Sequence, residues 1–247
     1  MRRWILPALL LGLVILAWQG VASTGWFGNY TLASPTEALR AFRQDHSLLL
    51  DAAWVTTVEI LLGLGAAIVL GFGAAVAMHL VRPLRDAAYP LFVASQAVPF
   101  LVLAPILVIA FDYGLAPKVA LIALICFFPI AVNTLDGLRS VDPSLIKLMR
   151  SLGASRLTML WKAELPSALP FIFSGLKLAA TVSVIGAVFA EFSGAENGLG
   201  LLVLRANSQL QTPRLYAATV LLMLMSIALF AIVSILERLA VPWKGNS

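Results

Sequence analysis

The chain has 247 residues, of which 61% are hydrophobic and 12% are charged, and its mean hydropathy is +0.96. Soluble domains carry roughly 25% charged residues, so this composition excludes an ordinary soluble protein and predicts an all-α, polytopic membrane protein. The net charge of +5 does not indicate nucleic-acid binding, because the placement of the charges matters more than their sum.

Six segments are apolar and near the length of about 20 residues that a transmembrane helix needs. The first has a second interpretation as a cleavable signal peptide, because Arg2 and Arg3 precede it and Val21-Ala22-Ser23 could be a cleavage site. The six segments are Ile5–Val21, Ala53–Leu80, Tyr89–Phe111, Val119–Leu135, Phe171–Ala190 and Leu215–Leu236.

The second segment contains four glycines, which allow neighbouring helices to approach closely. The third contains three prolines, which predict a kinked or broken helix. Both features fit a closely packed bundle, and also a bundle whose helices bend and slide as in a transporter. These residues are Gly63, Gly65, Gly71 and Gly73, and Pro90, Pro99 and Pro105.

Basic residues predict the orientation of the spans, because cytoplasmic loops are enriched in Lys and Arg. With both termini in the cytoplasm, 12 of the 17 Lys and Arg residues lie inside. We therefore expect cytoplasmic termini and a cytoplasmic loop between the fourth and fifth spans. The five basic residues placed outside are Arg40, Arg43, Lys118, Arg205 and Arg214.

Local signals shape two of the connecting segments. Ser34, followed by Pro35 and Glu37, is typical of a helix start, and we expect Ala38–Leu50 to lie along the outer surface. Arg82-Pro83-Leu84-Arg85 predicts a tight turn between the second and third spans.

Few polar residues lie within or beside the predicted spans, where a charge is costly. We interpret Glu59 either as a polar contact on a substrate path or as a residue near the outer interface that forms an ion pair or reaches to the surface. Gln96 and Asn133 are candidates for the same path, or for hydrogen bonds between helices. Glu191, which lies with Glu196 in a glycine-rich outer turn, is a candidate gate.

Histidine and cysteine give no sign of a metal or redox site. His46 and His79 have no partners at metal-ligand spacing. Cys126 is the single cysteine and cannot form an intramolecular disulfide. It lies in an apolar run, so we interpret it as a small hydrophobic core residue.

The longest polar interruption is Asp136–Pro170, which predicts two short helices joined by a turn. Asp142-Pro143 is typical of a helix start, and Ser144–Ser151 carries an apolar stripe. Gly153 suits the left-handed position after a helix. A second helix is expected over Arg156–Glu164.

We expect Leu165-Pro166 to end that second helix, so that the segment forms an elbow with an apolar ridge beside basic residues. Such an elbow can lie on anionic lipid headgroups. It can also dock into a groove of a cytoplasmic partner.

The spacing within the elbow resembles the cytoplasmic signature of ABC importer permeases. In that signature nine residues follow a glycine, then come an apolar position and a Leu-Pro pair, and the matching residues here are Gly153, Ala163 and Leu165-Pro166. The resemblance extends over Ala52–Trp243, and is greatest to the branch that moves nitrate, sulfonates, taurine, pyrimidine thiamine precursors and riboflavin. Further similar motifs are Gln96-Ala97-Val98-Pro99, Ala104-Pro105, Phe127-Phe128-Pro129, Asn133-Thr134-Leu135-Asp136-Gly137-Leu138 and Gly198-Leu199-Gly200.

Some positions depart from the family pattern. The Glu-Ala-Ala of the signature falls on Lys147-Leu148-Met149, so its acid is absent. Phe100 stands where relatives often have lysine, and Asp112 where they often have glycine. Thr57-Val58-Glu59 is more similar to the pyrimidine and riboflavin permeases than to the sulfonate ones.

The resemblance implies a type I ABC importer permease fold in the bacterial cytoplasmic membrane, with a coupling-helix elbow. It implies a second permease copy, expected as a homodimer, cytoplasmic ABC ATPase subunits, an extracytoplasmic solute-binding protein and surrounding membrane lipid. The expected solute is a pyrimidine thiamine precursor or a riboflavin-like compound, with a sulfonate, taurine or nitrate as the alternative. ATP and Mg²⁺ are used by the ATPase, and this chain, which has no phosphate-binding loop motif, is expected to bind no cofactor or metal.

The same resemblance divides the chain into an N-terminal part (1–52) and a permease core (53–243) that includes the coupling segment 137–170. A membrane-embedded enzyme or assembly factor needs a polar catalytic cluster in the spans, and a channel needs a filter; the sequence indicates neither. The expected substrate-path or gate residues are Glu59, Gln96, Pro99, Phe100, Asn133 and Glu191. The expected ATPase-docking residues are Lys147, Met149, Arg150, Leu152, Gly153, Ala154, Ser155, Arg156, Leu165 and Pro166.

Overall fold

The computed structural model describes residues 2–24, 31–95 and 98–243. Over these residues every regular element is helical, as the composition predicts. The α-helices are α1 Arg2–Ser23, α2 Pro35–Gln44, α3 His46–Leu80, α4 Arg82–Ser95, α5 Phe100–Phe111, α6 Leu115–Arg139, α7 Pro143–Ser151, α8 Arg156–Met159, α9 Leu165–Phe192, α10 Leu199–Ser208 and α11 Thr212–Ala240, and a π-helical turn, Leu160–Glu164, joins α8 to α9.

Within the described part of the chain, four helical runs are long and apolar enough to cross a membrane: α3, α6, α11 and the continuous run from α8 through α9. They correspond to the second, fourth, sixth and fifth predicted spans. Each run is longer than predicted, because polar residues at its ends also remain helical. Shorter apolar helices occur at Leu9–Ser23, Phe100–Phe111 and Leu199–Ser208, the last of which was not predicted.

The third predicted span is broken, as its prolines indicate. Helix α4 ends at Ser95, and α5 begins at Phe100 with Pro99 as its N-cap residue. Proline cannot donate a backbone hydrogen bond, which suits it to the start of a helix. The candidate path residue Gln96 lies outside the described residues.

One prediction about the connecting segments is confirmed and one is wrong. Helix α2 begins with Ser34 as its N-cap, as predicted, and ends with Asp45 as its C-cap before α3 begins at His46; the outer-surface position of Ala38–Leu50 stays a prediction. Arg82-Pro83-Leu84-Arg85 is not a turn, because α4 begins at Arg82 and only Val81 separates it from α3. Pro83 stands in the first turn of α4, where its missing N–H leaves no helical acceptor unsatisfied.

The chain divides into two compact units. The first comprises Met1–Thr56 and Glu196–Met223. In it the start of α11 is fixed to the segment before α3, because the Arg214 guanidinium lies 2.7 Å from the Asp45 carboxylate. The backbone N–H of Leu199, at the start of α10, donates to the Thr56 hydroxyl over 2.9 Å.

The second unit, Thr57–Ala195 and Leu224–Ser247, has α6 at its centre. A methyl group added at Gly63 of α3 would lie 2.5 Å from Ile122 of α6, and one added at Gly71 would lie 3.0 Å from the Phe127 carbonyl. Positions increase along both helices in the same direction, so α3 and α6 run parallel. The glycines permit this close approach, which is typical of membrane helices.

Helix α9 packs antiparallel against α6. A methyl group at Gly186 would meet Ile125 at 3.1 Å, and one at Gly175 would meet the Pro129 carbonyl at 2.6 Å. Near the other end, Gly137 of α6 lies against Ala168. Three glycines therefore bring these two helices into contact along most of their length.

Candidate docking elbow and buried ion pairs

Helix α7 begins as the sequence predicts. Asp142 is its N-cap, and the Asp142 carboxylate accepts a hydrogen bond from the Ser144 backbone N–H. Pro143 occupies the first turn, where its fixed φ favours the helix. None of the nine residues of α7 is buried, and only Ile146 and Met149 are half-buried, so most of this amphipathic helix is exposed.

Gly153 ends α7 in the left-handed conformation, with φ of 81°, as predicted. The Gly153 N–H bonds to the Arg150 carbonyl and the Ala154 N–H to the Met149 carbonyl, which is the Schellman pattern. Ser155 then caps α8 by accepting from the Thr158 N–H. The turn therefore sets the direction of α8 relative to α7.

The elbow exposes a large apolar surface. Leu152 is 78% exposed, Trp161 67%, Leu157 61% and Leu148 56%. Exposed apolar side chains among charged ones are typical of a surface that contacts a partner protein or a membrane. Several of the predicted docking residues are exposed beside it: Lys147, Arg150, Leu152, Gly153, Ser155 and Arg156.

The remaining predicted docking residues are less accessible. Met149 and Ala154 are half-buried. Leu165 packs against an apolar cluster centred on Leu138, Leu160 and Ala168, and Pro166 is also half-buried. The structure therefore does not place the Leu-Pro pair on the exposed face.

The prediction that Leu165-Pro166 ends the second helix is wrong. The chain passes from α8 through the π turn into α9 without a break. Pro166 lies in the first turn of α9, directly after the π turn. A π turn has a wider hydrogen-bonding pattern, so a proline at this point does not interrupt the helix.

The second half of the elbow contacts the end of α3 through two polar bonds. The His79 ring nitrogen Nε2 lies 2.8 Å from the Glu164 carboxylate. Arg156 donates from Nη2 to the His79 backbone carbonyl over 2.9 Å. Sequence reasoning missed both contacts, although it placed His79 and Glu164 at the same side of the membrane.

Glu59 forms an ion pair within the helical bundle. Its side chain is 2% exposed, and its carboxylate lies 2.6 Å from the Lys118 ammonium of α6. Glu191, which is fully buried, lies close enough to Glu59 to interact with it electrostatically. The second interpretation of Glu59 expects such an ion pair, and a role of Glu59 on a substrate path stays a prediction.

The other candidate path residues lie at helix contacts or at the helix break. Asn133 donates from its side-chain amide to the Pro129 carbonyl one turn earlier, over 2.8 Å, and faces Gly175 of α9. Phe100 packs against an apolar cluster formed by α5, α6 and α9. Pro99 is exposed at the start of α5.

A second ion pair missed by the sequence joins α9 to α11. The Lys177 ammonium lies 2.7 Å from the Glu237 carboxylate and 6.0 Å from the centre of the Phe230 ring. Opposite charges at similar membrane depth could have suggested this pairing. Among the described residues, no group of three His, Cys, Asp or Glu side chains is arranged to hold a metal ion.

The chain is similar to known transport proteins. The family model described as "Binding-protein-dependent transport system inner membrane component" matches residues 67–244. The chain is 35% identical to the formylaminopyrimidine transport permease protein ThiX of Halalkalibacterium halodurans, over 96% of this chain and 95% of the relative. It is 32% identical to the riboflavin transport system permease protein RibX of Chloroflexus aurantiacus, over 100% and 94% respectively.

A third relative carries a different substrate name. The taurine transport system permease protein TauC of Escherichia coli is 36% identical, over 76% of this chain and 68% of that protein. Among solved structures, a chain of the MetNI methionine ABC transporter in an inward-facing form superposes with a TM-score of 0.71 at 19% identity, covering 80% of this chain and 98% of that one. At this identity the match concerns the fold.

Proposed function

Because the chain belongs to the family of binding-protein-dependent transport system inner membrane components, we propose that its elbow docks an ATPase subunit and that its solute is a pyrimidine thiamine precursor or a riboflavin-like compound. The chain is an ABC importer permease, a multi-pass protein of the inner membrane. It is not an enzyme, since ATP is hydrolysed by a separate subunit. The docking surface and the solute are the parts that we propose.

The exposed elbow is the observation that carries the docking proposal. Helix α7 buries none of its residues within the chain, yet it is capped at both ends and carries Leu148 and Leu152 on its surface. An amphipathic helix with exposed apolar anchors is typical of one partner in a helix-in-groove contact. Lys147 stands at the signature's acid position and adds a positive charge, so the groove that receives it should carry acidic groups nearby.

The cycle that follows from this assignment couples the elbow to the spans. ATP binding brings two ATPase subunits together, and each moves the elbow on its permease. Two permease copies, which we take to be identical, enclose the path for the solute. The basic residues at the elbow side support a cytoplasmic position for it and for both termini, and a solute-binding protein delivers the solute on the opposite side. Alternation between inward- and outward-open states requires the spans to move as packed bodies.

The proposed solute rests on two relatives, those named for formylaminopyrimidine and riboflavin, which align with nearly the whole of this chain. Sulfonate, taurine or nitrate transport is the second candidate, and it is favoured by the taurine permease of similar identity over a shorter region. Thr57-Val58-Glu59, which resembles the pyrimidine and riboflavin permeases more than the sulfonate ones, favours the first candidate.

Uptake by the assembled transporter tests the solute class. The permease, its ATPase and its solute-binding protein should be reconstituted in liposomes and supplied with radiolabelled formylaminopyrimidine, riboflavin, taurine or nitrate in turn. We expect ATP-dependent accumulation of the pyrimidine or the flavin. Accumulation of taurine or nitrate alone would replace the first candidate with the second.

A further inference from the structure

His79 lies at the end of α3 and contacts the elbow through both its side chain and its backbone. It is the penultimate residue of that helix, and its side chain is 13% exposed. The ring contacts the Glu164 carboxylate, whose side chain is 14% exposed, at 2.8 Å. The backbone carbonyl of the same residue accepts from Arg156 at 2.9 Å.

These two bonds come from opposite ends of the second half of the elbow. Arg156 is the first residue of α8, directly after the Gly153 turn, and Glu164 is the last residue of the π turn. A π turn holds more residues per turn than an α-helix, so it changes the face on which the following side chains lie. His79 therefore contacts both the start and the end of residues Arg156–Glu164, which we call the α8–π segment.

An apolar cluster lies beside the polar contacts. Leu160 of the π turn and Ala168 of α9 are buried with Leu138 of α6, and Val76 and Leu80 of α3 pack against them. Polar bonds and apolar packing thus fix the α8–π segment to α3. In helix α7, by contrast, none of the residues is buried.

We propose that His79 is a positioning residue for transport, which clamps the α8–π segment to α3 so that a displacement of the elbow moves α3 together with α9. Without the clamp, movement of the elbow would pass into α9 alone through the continuous helix. Helix α3 carries Glu59 of the buried ion pair, so the clamp connects the docking elbow to that part of the bundle. This inference rests on the proposed docking function.

A double-mutant cycle measures the clamp in the intact transporter. His79→Ala, Glu164→Ala and the double variant are reconstituted with the ATPase and the binding protein, and the ATP hydrolysed per solute imported is measured. We expect each single variant to raise this ratio roughly fivefold, and the double variant to be no worse than either single one. His79→Gln, which keeps a donor, should restore much of the coupling. Asp86→Ala, which removes an exposed ion pair on α4, is the control and should leave the ratio unchanged.

A cross-link gives a second measurement that does not depend on loss of a side chain. In a Cys126→Ala background, His79→Cys and Glu164→Cys are joined by a short bifunctional methanethiosulfonate reagent. The clamp predicts that transport continues, because the two positions stay together throughout the cycle. Transport abolished by the cross-link, or alanine variants that couple as well as wild type, would overturn the clamp alone. A wild-type protein that binds no ATPase would instead overturn the proposed function itself.

Discussion

The Lys118 ammonium lies 2.6 Å from the Glu59 carboxylate and joins α3 to α6 inside the bundle. Both side chains are largely removed from solvent. A buried ion pair contributes little net stability, but removing one partner leaves an uncompensated charge. The ion pair therefore constrains how α3 and α6 pack against each other more than it adds to the free energy of unfolding.

Lys118→Met should destabilise the protein more than Glu59→Gln. Loss of Lys118 leaves Glu59 near the carboxyl group of Glu191 without the ammonium that pairs with it. Loss of one member of a buried pair typically costs about 3–5 kcal/mol. The midpoints of thermal unfolding in detergent show which of the two variants is less stable. The double variant Glu59→Gln/Lys118→Met should be more stable than Lys118→Met alone, and equal stability of all three variants would contradict the argument.

Gly63→Ala and Gly65→Ala are a matched pair on α3. A methyl group at Gly63 would lie 2.5 Å from the Ile122 side chain, whereas one at Gly65 meets nothing within 4 Å. Overpacking of this kind typically costs about 1–3 kcal/mol. Alanine at position 65 should be neutral or slightly stabilising, since it favours a helix over glycine. Equal unfolding midpoints for the two variants would show that α3 and α6 do not pack as described.

Asp112→Gly should stabilise the protein. Asp112 ends α5 with φ of 64° and ψ of 173°, a region that is almost restricted to glycine and costs of order 1–3 kcal/mol for other residues. This is also the position at which the family resemblance leads one to expect glycine. Asp112→Ala keeps the strain and serves as the control. An equal gain in the unfolding midpoint for the alanine and glycine variants would assign the effect to the lost charge and contradict the strain argument.

The sequence predicted those features that depend on neighbouring residues. The caps at Ser34 and Asp142 and the left-handed turn at Gly153 follow from local backbone chemistry, and the structure contains all three. The broken third span follows from its prolines in the same way. The apolar runs predicted the long helices, because the length and composition of a segment alone decide whether it can cross a bilayer.

Features that depend on distant residues were missed. The sequence places Glu59 and Lys118 near corresponding ends of two spans, but it does not reveal that α3 and α6 are neighbours. The same holds for His79 and Glu164. The sequence predicts a helix end at Leu165-Pro166 because proline usually breaks a helix, and the π turn that accommodates this proline depends on packing that the local sequence does not reveal.

Co-purification of the ATPase subunit with elbow variants tests the central claim most directly. Leu152 is 78% exposed, so Leu152→Asp should insert into the membrane at wild-type levels. A side chain at Gly153 has open space around it, but the φ of 81° at this position means that Gly153→Asp also strains the turn, so Leu152→Asp is the cleaner variant. If the elbow is the docking site, both variants should lose most of the bound ATPase, whereas Leu152→Met should retain it. Docking at the elbow would be contradicted if both aspartate variants recovered all of the ATPase and coupled ATP hydrolysis to transport normally.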